Sequence, residues 1–152
     1  RQPLDVAQLV EDAVRLVSGE AVARRSQVST EVPAQLPPVA GDRVHLQQVL
    51  VNLLVNGLDA MSTCPPSGRR LAVRAGTIHP NLIEVAVSDT GVGIAPEHLA
   101  RAFEPFYTTK QDGLGLGLAI CRSIAKAHGG SIVLENNPDG GTTARVRLPM
   151  HA

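Results

Sequence analysis

Residues 42–61 read DRVHLQQVLVNLLVNGLDAM, a run without proline whose first glycine is Gly57 and whose leading Asp42 can cap a helix. At about 100° per residue, His45, Gln48, Asn52, Asn56 and Asp59 fall within an arc of about 80°. Leu46, Val49, Leu50, Val51, Leu53, Leu54, Val55 and Leu58 surround that stripe. A helix apolar almost all round has to be buried. Its polar stripe must then meet partners inside the molecule, because an amide or carboxylate buried unpaired costs roughly 1 to 3 kcal/mol. Two readings fit the stripe equally. One is a structural network with a neighbouring loop; the other is a ligand with a metal ion, the amide oxygens of Asn56 and Asn52 serving as hard donors for Mg²⁺ beside phosphates.

The second constraint lies between Ser88 and Leu118, where Gly91/Gly93 and Gly113/Gly115/Gly117 bracket Phe103, Phe106 and Tyr107, all the aromatic residues of the chain. Glycine at that density marks sharp turns or close approach to a ligand. Asp89 ends an alternating run, Ile83 to Ser88, that suits a strand buried on one face. A carboxylate there, next to bare backbone, is placed to accept from a planar donor such as the exocyclic amine of a purine. Gly113 to Gly117 lead straight into a helical pattern, which puts free N–H groups and the positive dipole end at the glycines. That is an anion site.

Composition narrows the partners. Fourteen basic and fourteen acidic residues leave no general field for nucleic acid or an anionic membrane, so phosphate recognition must be local. Cys64 and Cys121 have neither disulfide-framework nor zinc spacing, which fits a reducing cytoplasm. No run approaches the length of a membrane span, so the chain is expected to be soluble. At 152 residues it reads as one domain, 1–152, and as a fragment of something longer.

Along the chain, the spacing predicts a helix over 4–17, a strand over 27–32, a proline-rich connector, then the helix over 42–61. Strands over 71–78 and 82–88 form a hairpin through His79-Pro80-Asn81. A short helix over 97–103 follows Pro96, and a helix over 118–128 ends at Gly129. Strands over 131–135 and 142–148 close the chain as a hairpin, with Ala144, Val146 and Leu148 inward.

Taken together these motifs resemble the catalytic ATP-binding domain of bacterial sensor histidine kinases, a branch of the GHKL ATPase and kinase superfamily. Asn52-Leu53-Leu54-Val55-Asn56 looks like the N box, Asp89-Thr90-Gly91-Val92-Gly93-Ile94 like the G1 box, Phe103-Glu104-Pro105-Phe106 like the F box, and Gly113 to Leu118 like the G2 box. Gly141-Thr142 resembles the last glycine box. The resemblance implies an α/β (α+β) two-layer sandwich, a mixed, mostly antiparallel sheet of about five strands covered on one face by three helices.

It also implies roles. Asp89 would receive the adenine amine, with Thr142 completing the contact through water. Asn56 would hold Mg²⁺, and Asn52 would line the same site. Gly91, Gly93 and Ile94 would shape the adenine wall. Phe103 and Phe106 would anchor a lid whose Thr108, Thr109 and Lys110 reach sugar and phosphates. Gly113, Leu114, Gly115, Leu116, Gly117 and Leu118 would bring backbone N–H groups to the phosphates. The cofactors implied are ATP and Mg²⁺, with Lys110 supplying charge stabilisation at the transfer.

Several positions depart from the pattern. Gly57 stands where Ala usually follows the N-box asparagine, lowering helix propensity by about 1 kcal/mol. Asp59 stands where many relatives carry Lys or His, and orders either Mg²⁺-bound water or a basic neighbour. Asn52 holds the place of the water-activating glutamate of ATP-hydrolysing relatives; an amide is a poor base, so intrinsic hydrolysis should be weak. His45, His79, His98, His128 and His151 all read as non-acceptors of phosphate. His128, at a helix end where a cation is favoured, reads as structural; His79, His98 and His151 suggest no partner.

The acceptor would then be a histidine on a dimerisation domain of the same polypeptide, with onward relay to the receiver domain of a response regulator. No nucleic acid or direct membrane contact is implied; the isolated domain is expected to be monomeric and cytoplasmic. Alternatives are an anti-sigma-factor-type serine kinase of the same superfamily, or a nucleotide-binding module without transfer. Asp89-Thr90-Gly91 is also an aspartic-protease signature, but a single copy would demand a homodimer.

Overall fold

The alternating apolar residues of β5 (Leu82–Ser88) bury Ile83, Val85 and Val87 on one face and make it the central strand of a mixed sheet. The computed structural model describes residues 2–107 and 117–151. On one side of β5 lies β4 (Arg70–Ile78), antiparallel to it, and beyond that β2 (Gln27–Glu31), parallel to β4. On the other side lie β7 (Thr142–Pro149) and, at the edge, β6 (Ser131–Asn136), both antiparallel. The expected mixed, mostly antiparallel sheet of five strands is thus present.

One face of the sheet is apolar and covered by α1 (Val6–Ala23), α2 (Arg43–Ala60) and α4 (Gly117–Ala127). The opposite face is polar. Glu84 on β5 accepts from Arg145 Nη1 at 3.0 Å and Arg147 Nε at 2.9 Å, and Glu135 pairs with Arg145. Such half-exposed pairs contribute little stability; they keep this face in water. The core is aliphatic, with Leu54, Leu58, Met61, Leu71 and Ile83 fully buried among its members.

Helix ends follow local chemistry. Asp5 caps α1, accepting from Ala7 N at 2.9 Å, and Asp42 caps α2, accepting from His45 N at 3.1 Å. Gly129 takes φ +74 just after α4, the left-handed terminus that its position implies.

Four expectations are corrected. α1 runs to Ala23, past the spacing's limit at Val17, because Ala21 still finds the core. A small second sheet joins β1 (Gln2–Leu4) to β3 (Val39–Gly41), strands too short to show a period. The helix after Pro96 is a single turn, α3 (Pro96–Leu99), followed by turns through the F-box segment. Finally, α2 is not buried all round: Val44 is 72% exposed and His45 and Gln48 are exposed, since its first turn projects beyond its neighbours.

Gly57 has a steric reason that its helix propensity hides. A Cβ there would lie 2.5 Å from Cδ1 of the fully buried Leu71 on β4. Alanine would raise helix propensity by about 1 kcal/mol but overpack the α2–β4 contact by about 1–3 kcal/mol. In urea denaturation, Gly57→Ala should therefore be destabilising by roughly 1 kcal/mol, and adding Leu71→Val should recover most of the loss. A more stable single variant would show that Leu71 moves aside freely.

Candidate functional site

Asp89 sits just past β5 and is 6% exposed. Its Oδ1 accepts from Gly91 N at 2.8 Å and Thr142 N at 3.2 Å, and its own N donates to the Thr142 carbonyl at 2.9 Å. Among the described residues no donor reaches Oδ2. Burial pushes this carboxyl above the ordinary range, and the two N–H groups on Oδ1 offset only part of that. The result is a largely buried carboxylate with one oxygen anchored and one available.

Two glycines allow that packing. A Cβ on Gly91 would lie 2.4 Å from the Ala60 carbonyl oxygen, and one on Gly141, at φ +87, would lie 2.0 Å from the Asp89 carbonyl oxygen. Both are backbone collisions that no rotamer relieves. Val92 N also donates to the Ala60 carbonyl at 3.3 Å, tying this loop to the end of α2.

Helix α2 approaches the aspartate at Gly57. A Cβ on Gly57 would lie 3.7 Å from Cβ of Asp89, so the helix passes the aspartate at this glycine, and Asn56 is the residue before it in the chain. Asn52, one turn earlier, donates from Nδ2 to Cys121 Sγ on α4 at 3.7 Å. That thiol is fully buried and pushed up to about 11 by desolvation, which makes it a packing group. At the far end of the stripe Asp59 has the basic neighbour anticipated for it: Arg24 pairs with it and with Glu20, the latter at 2.7 Å.

Other positions divide. Gly93 takes φ +77 and Ile94 is held through its main chain by Asn136. Thr142 is buried beside Asp89. Gly117 and Leu118 open α4 and are half-buried. Phe103 packs on the core with the Arg122 guanidinium 5.6 Å from its ring centre, whereas Phe106, at φ +67, is 75% exposed. Thr108, Thr109, Lys110, Gly113, Leu114, Gly115 and Leu116 lie outside the described residues.

A cavity of about 310 Å³ opens elsewhere, between Leu99, Phe103, Arg122, Lys126 and β6. It includes neither Asp89 nor the α2 amides. Part of the wall implied for the nucleotide belongs to residues 108–116, outside the described residues, so this volume is a separate feature from the one expected at Asp89 and α2.

His128 is structural, as expected. It is buried, its Nε2 accepts from Asp42 N at 3.1 Å, and its Nδ1 donates to the Ile124 carbonyl at 2.8 Å. His98 does have a partner, contrary to expectation: its Nδ1 bonds Tyr107 Oη, and Arg101 lies 4.3 Å over the tyrosine ring. Sequence reasoning missed Thr90, which accepts from Arg70 N at 3.1 Å and donates to the Gly68 carbonyl at 2.5 Å. It also passed over Arg24 and Asn136, because none of the three stands out by periodicity or spacing.

A mixed five-stranded sheet under three helices, with a buried strand-end aspartate beside Gly57 of the asparagine-bearing helix, defines an α/β sandwich of the ATPase and kinase type. A model of the histidine kinase-, DNA gyrase B- and HSP90-like ATPase family matches residues 41–152, and the chain belongs to that family.

Within it, the sensor histidine kinases are similar. Sensor histidine kinase TmoS of Ectopseudomonas mendocina is 35% identical over 150 residues, 98% of this chain and 15% of its own length. The catalytic domain of histidine kinase ThkA superposes with a TM-score of 0.85 at 27% identity, covering 98% of this chain and 95% of that domain. ThkA in complex with the response regulator TrrA gives 0.81 at 25% identity, covering 99% of this chain and 42% of that one. Full-length ShkA in complex with AMPPNP gives 0.85 at 28% identity, covering 99% of this chain and 31% of that one.

Asp89 sets a pH dependence. Its raised carboxyl means that the folded chain binds this proton more tightly than the unfolded one, so its ionisation costs stability that is regained as pH falls through the raised pKa toward the ordinary carboxylate range. Asp89→Asn keeps an acceptor for both N–H groups and removes the buried charge. Thermal unfolding of the apo chain at neutral pH should find the variant at least as stable as wild type, with the difference shrinking in acid. A variant that loses stability at pH 7 and regains parity nowhere would contradict this.

Proposed function

We propose that this chain binds Mg-ATP and donates the γ-phosphoryl group to a histidine on a separate dimerisation domain, for relay to the receiver aspartate of a response regulator. The observation that carries the reading is the Asp89 carboxylate, buried and anchored through Oδ1, with Oδ2 taken by no donor among the described residues. An acceptor of that kind suits the exocyclic amine of adenine. The complexes of ShkA with AMPPNP and of ThkA with TrrA lend support from similar proteins.

The metal fits the donor set. Among the described residues no group of three or more His, Cys, Asp or Glu could hold an ion. Asn56 and Asn52 offer neutral hard oxygens one turn apart on a half-buried face. Donors so few and uncharged suit Mg²⁺ that arrives with phosphate oxygens as its other ligands. When bound, the ion would neutralise charge on the phosphates. The chain's own contribution is orientation: Asp89 holds the base, α2 holds the metal-bearing phosphates, and Lys110 with the glycines from 113 to 117 would meet the triphosphate.

The acceptor lies elsewhere in this reading. His128 is taken up by main chain, and His45 belongs to the exposed first turn of α2 with Asp42 3.8 Å away. The dimerisation domain would supply the phosphorylated histidine. Among the described residues no helix is long and apolar enough to cross a membrane, which accords with a catalytic module working in the cytoplasm.

Calorimetric titration of ATP with and without Mg²⁺ tests the site. Asn56→Ala should remove the magnesium-dependent part of the affinity, by about tenfold or more, and leave metal-free binding close to wild type. An unchanged titration would remove Asn56 from the metal. Labelled ATP offered with a histidine-bearing dimerisation domain should label histidine; acid-stable label on serine would indicate the serine-kinase branch.

A further inference from the structure

Asn136 and Asn137, the end of β6 and the start of its turn, reach across to the loop that carries Asp89. Asn136 makes a two-point contact with the main chain of Ile94: Oδ1 accepts from Ile94 N at 2.9 Å and Nδ2 donates to the Ile94 carbonyl at 2.7 Å. The same Oδ1 accepts from Thr142 Oγ1 at 3.4 Å. Asn137 grips the other end of the loop. Its Nδ2 donates to the Asp89 carbonyl at 3.2 Å and to Ser88 Oγ at 3.0 Å, and its Oδ1 accepts from Thr143 Oγ1 at 2.5 Å. Ser88 and Thr143 hydroxyls share a hydrogen bond at 3.0 Å, which closes a ring of three side chains.

Between these grips lie Gly91 and Gly93, the most permissive backbone in the segment, with Gly93 in the left-handed region and a would-be Cβ 3.2 Å from Asn136 Oδ1. A loop of that composition does not hold one shape unaided. Resting on the ATP-site reading, we propose that Asn136, assisted by Asn137, is a positioning residue that sets the base selectivity of the nucleotide site. It fixes Ile94 and the Thr142 hydroxyl relative to Asp89.

The side-chain type is demanding. Aspartate has no donor for the Ile94 carbonyl, serine cannot serve both groups at once, and glutamine is one methylene too long. Asn136 is itself exposed, so replacing it leaves the core intact and loosens only the loop.

The test compares ATP with ITP, which differs in the base alone: an oxo group replaces the amine and N1 carries a proton. Calorimetric affinities of both are measured for wild type, Asn136→Ala, Asn136→Asp and Asn137→Ala. In the Asn136 variants ATP affinity should fall about five- to tenfold, the effect of one or two lost hydrogen bonds, while ITP stays within about twofold. The ATP/ITP ratio thus contracts, a change that general loss of structure would not produce. Equal losses for both nucleotides, or an unchanged ratio in both Asn136 variants, overturn the inference and leave the ATP reading standing. Absence of ATP binding by wild type overturns that reading and the inference with it. Should Asn136→Ala fail to fold, the isosteric Asn136→Asp carries the comparison.

Discussion

The junction of Asp89 with Thr142 holds the site and the sheet together. Main chain joins the two residues through Asp89 N and the Thr142 carbonyl, and side chain joins them again through Oδ1 and Thr142 N. This places the carboxylate where β5 and β7 pair, directly over the point where Gly57 lets α2 approach. Backbone, not side chain, fills the space around the anchored Oδ1. Glycine is enforced at 91 and 141 for that reason.

That arrangement has an electrostatic consequence. A chain with no net charge offers a phosphate-bearing ligand no long-range attraction. On the proposed reading its selectivity would come from short contacts in a low-dielectric site, where an anchored carboxylate would discriminate between a donor and an acceptor on the incoming base. Several charges among the described residues pair with one another instead. Glu84 and Glu135 balance Arg145 and Arg147 on the opposite face of the sheet, and Arg24 pairs with Asp59 at the end of the α2 stripe.

Legibility followed the range of the interaction. Periodicity sufficed for β5, β7, α2 and α4, where apolar residues repeat on one face, and Asp42 marked its helix start by chemistry local to one turn. It failed for β1 and β3, whose three-residue strands carry no period, and for the last turns of α1, where the buried Ala21 is too small to register as a face. It overstated the burial of α2, because an apolar residue such as Val44 can project beyond its neighbours without any local sign of it.

For the site, sequence alone determined which chemistry is present: a strand-end aspartate, two asparagines one helical turn apart, and glycines where main chain must be bare. Those are properties of residue type and spacing within a few positions. Only the tertiary structure decided that Asp59 pairs with Arg24, 35 residues away, that Asn52 leans on Cys121, 69 away, and that Asn136 holds Ile94, 42 away. Those contacts arise from the packing of sheet and helices, which brings distant segments within hydrogen-bond range and leaves no periodic trace in either partner.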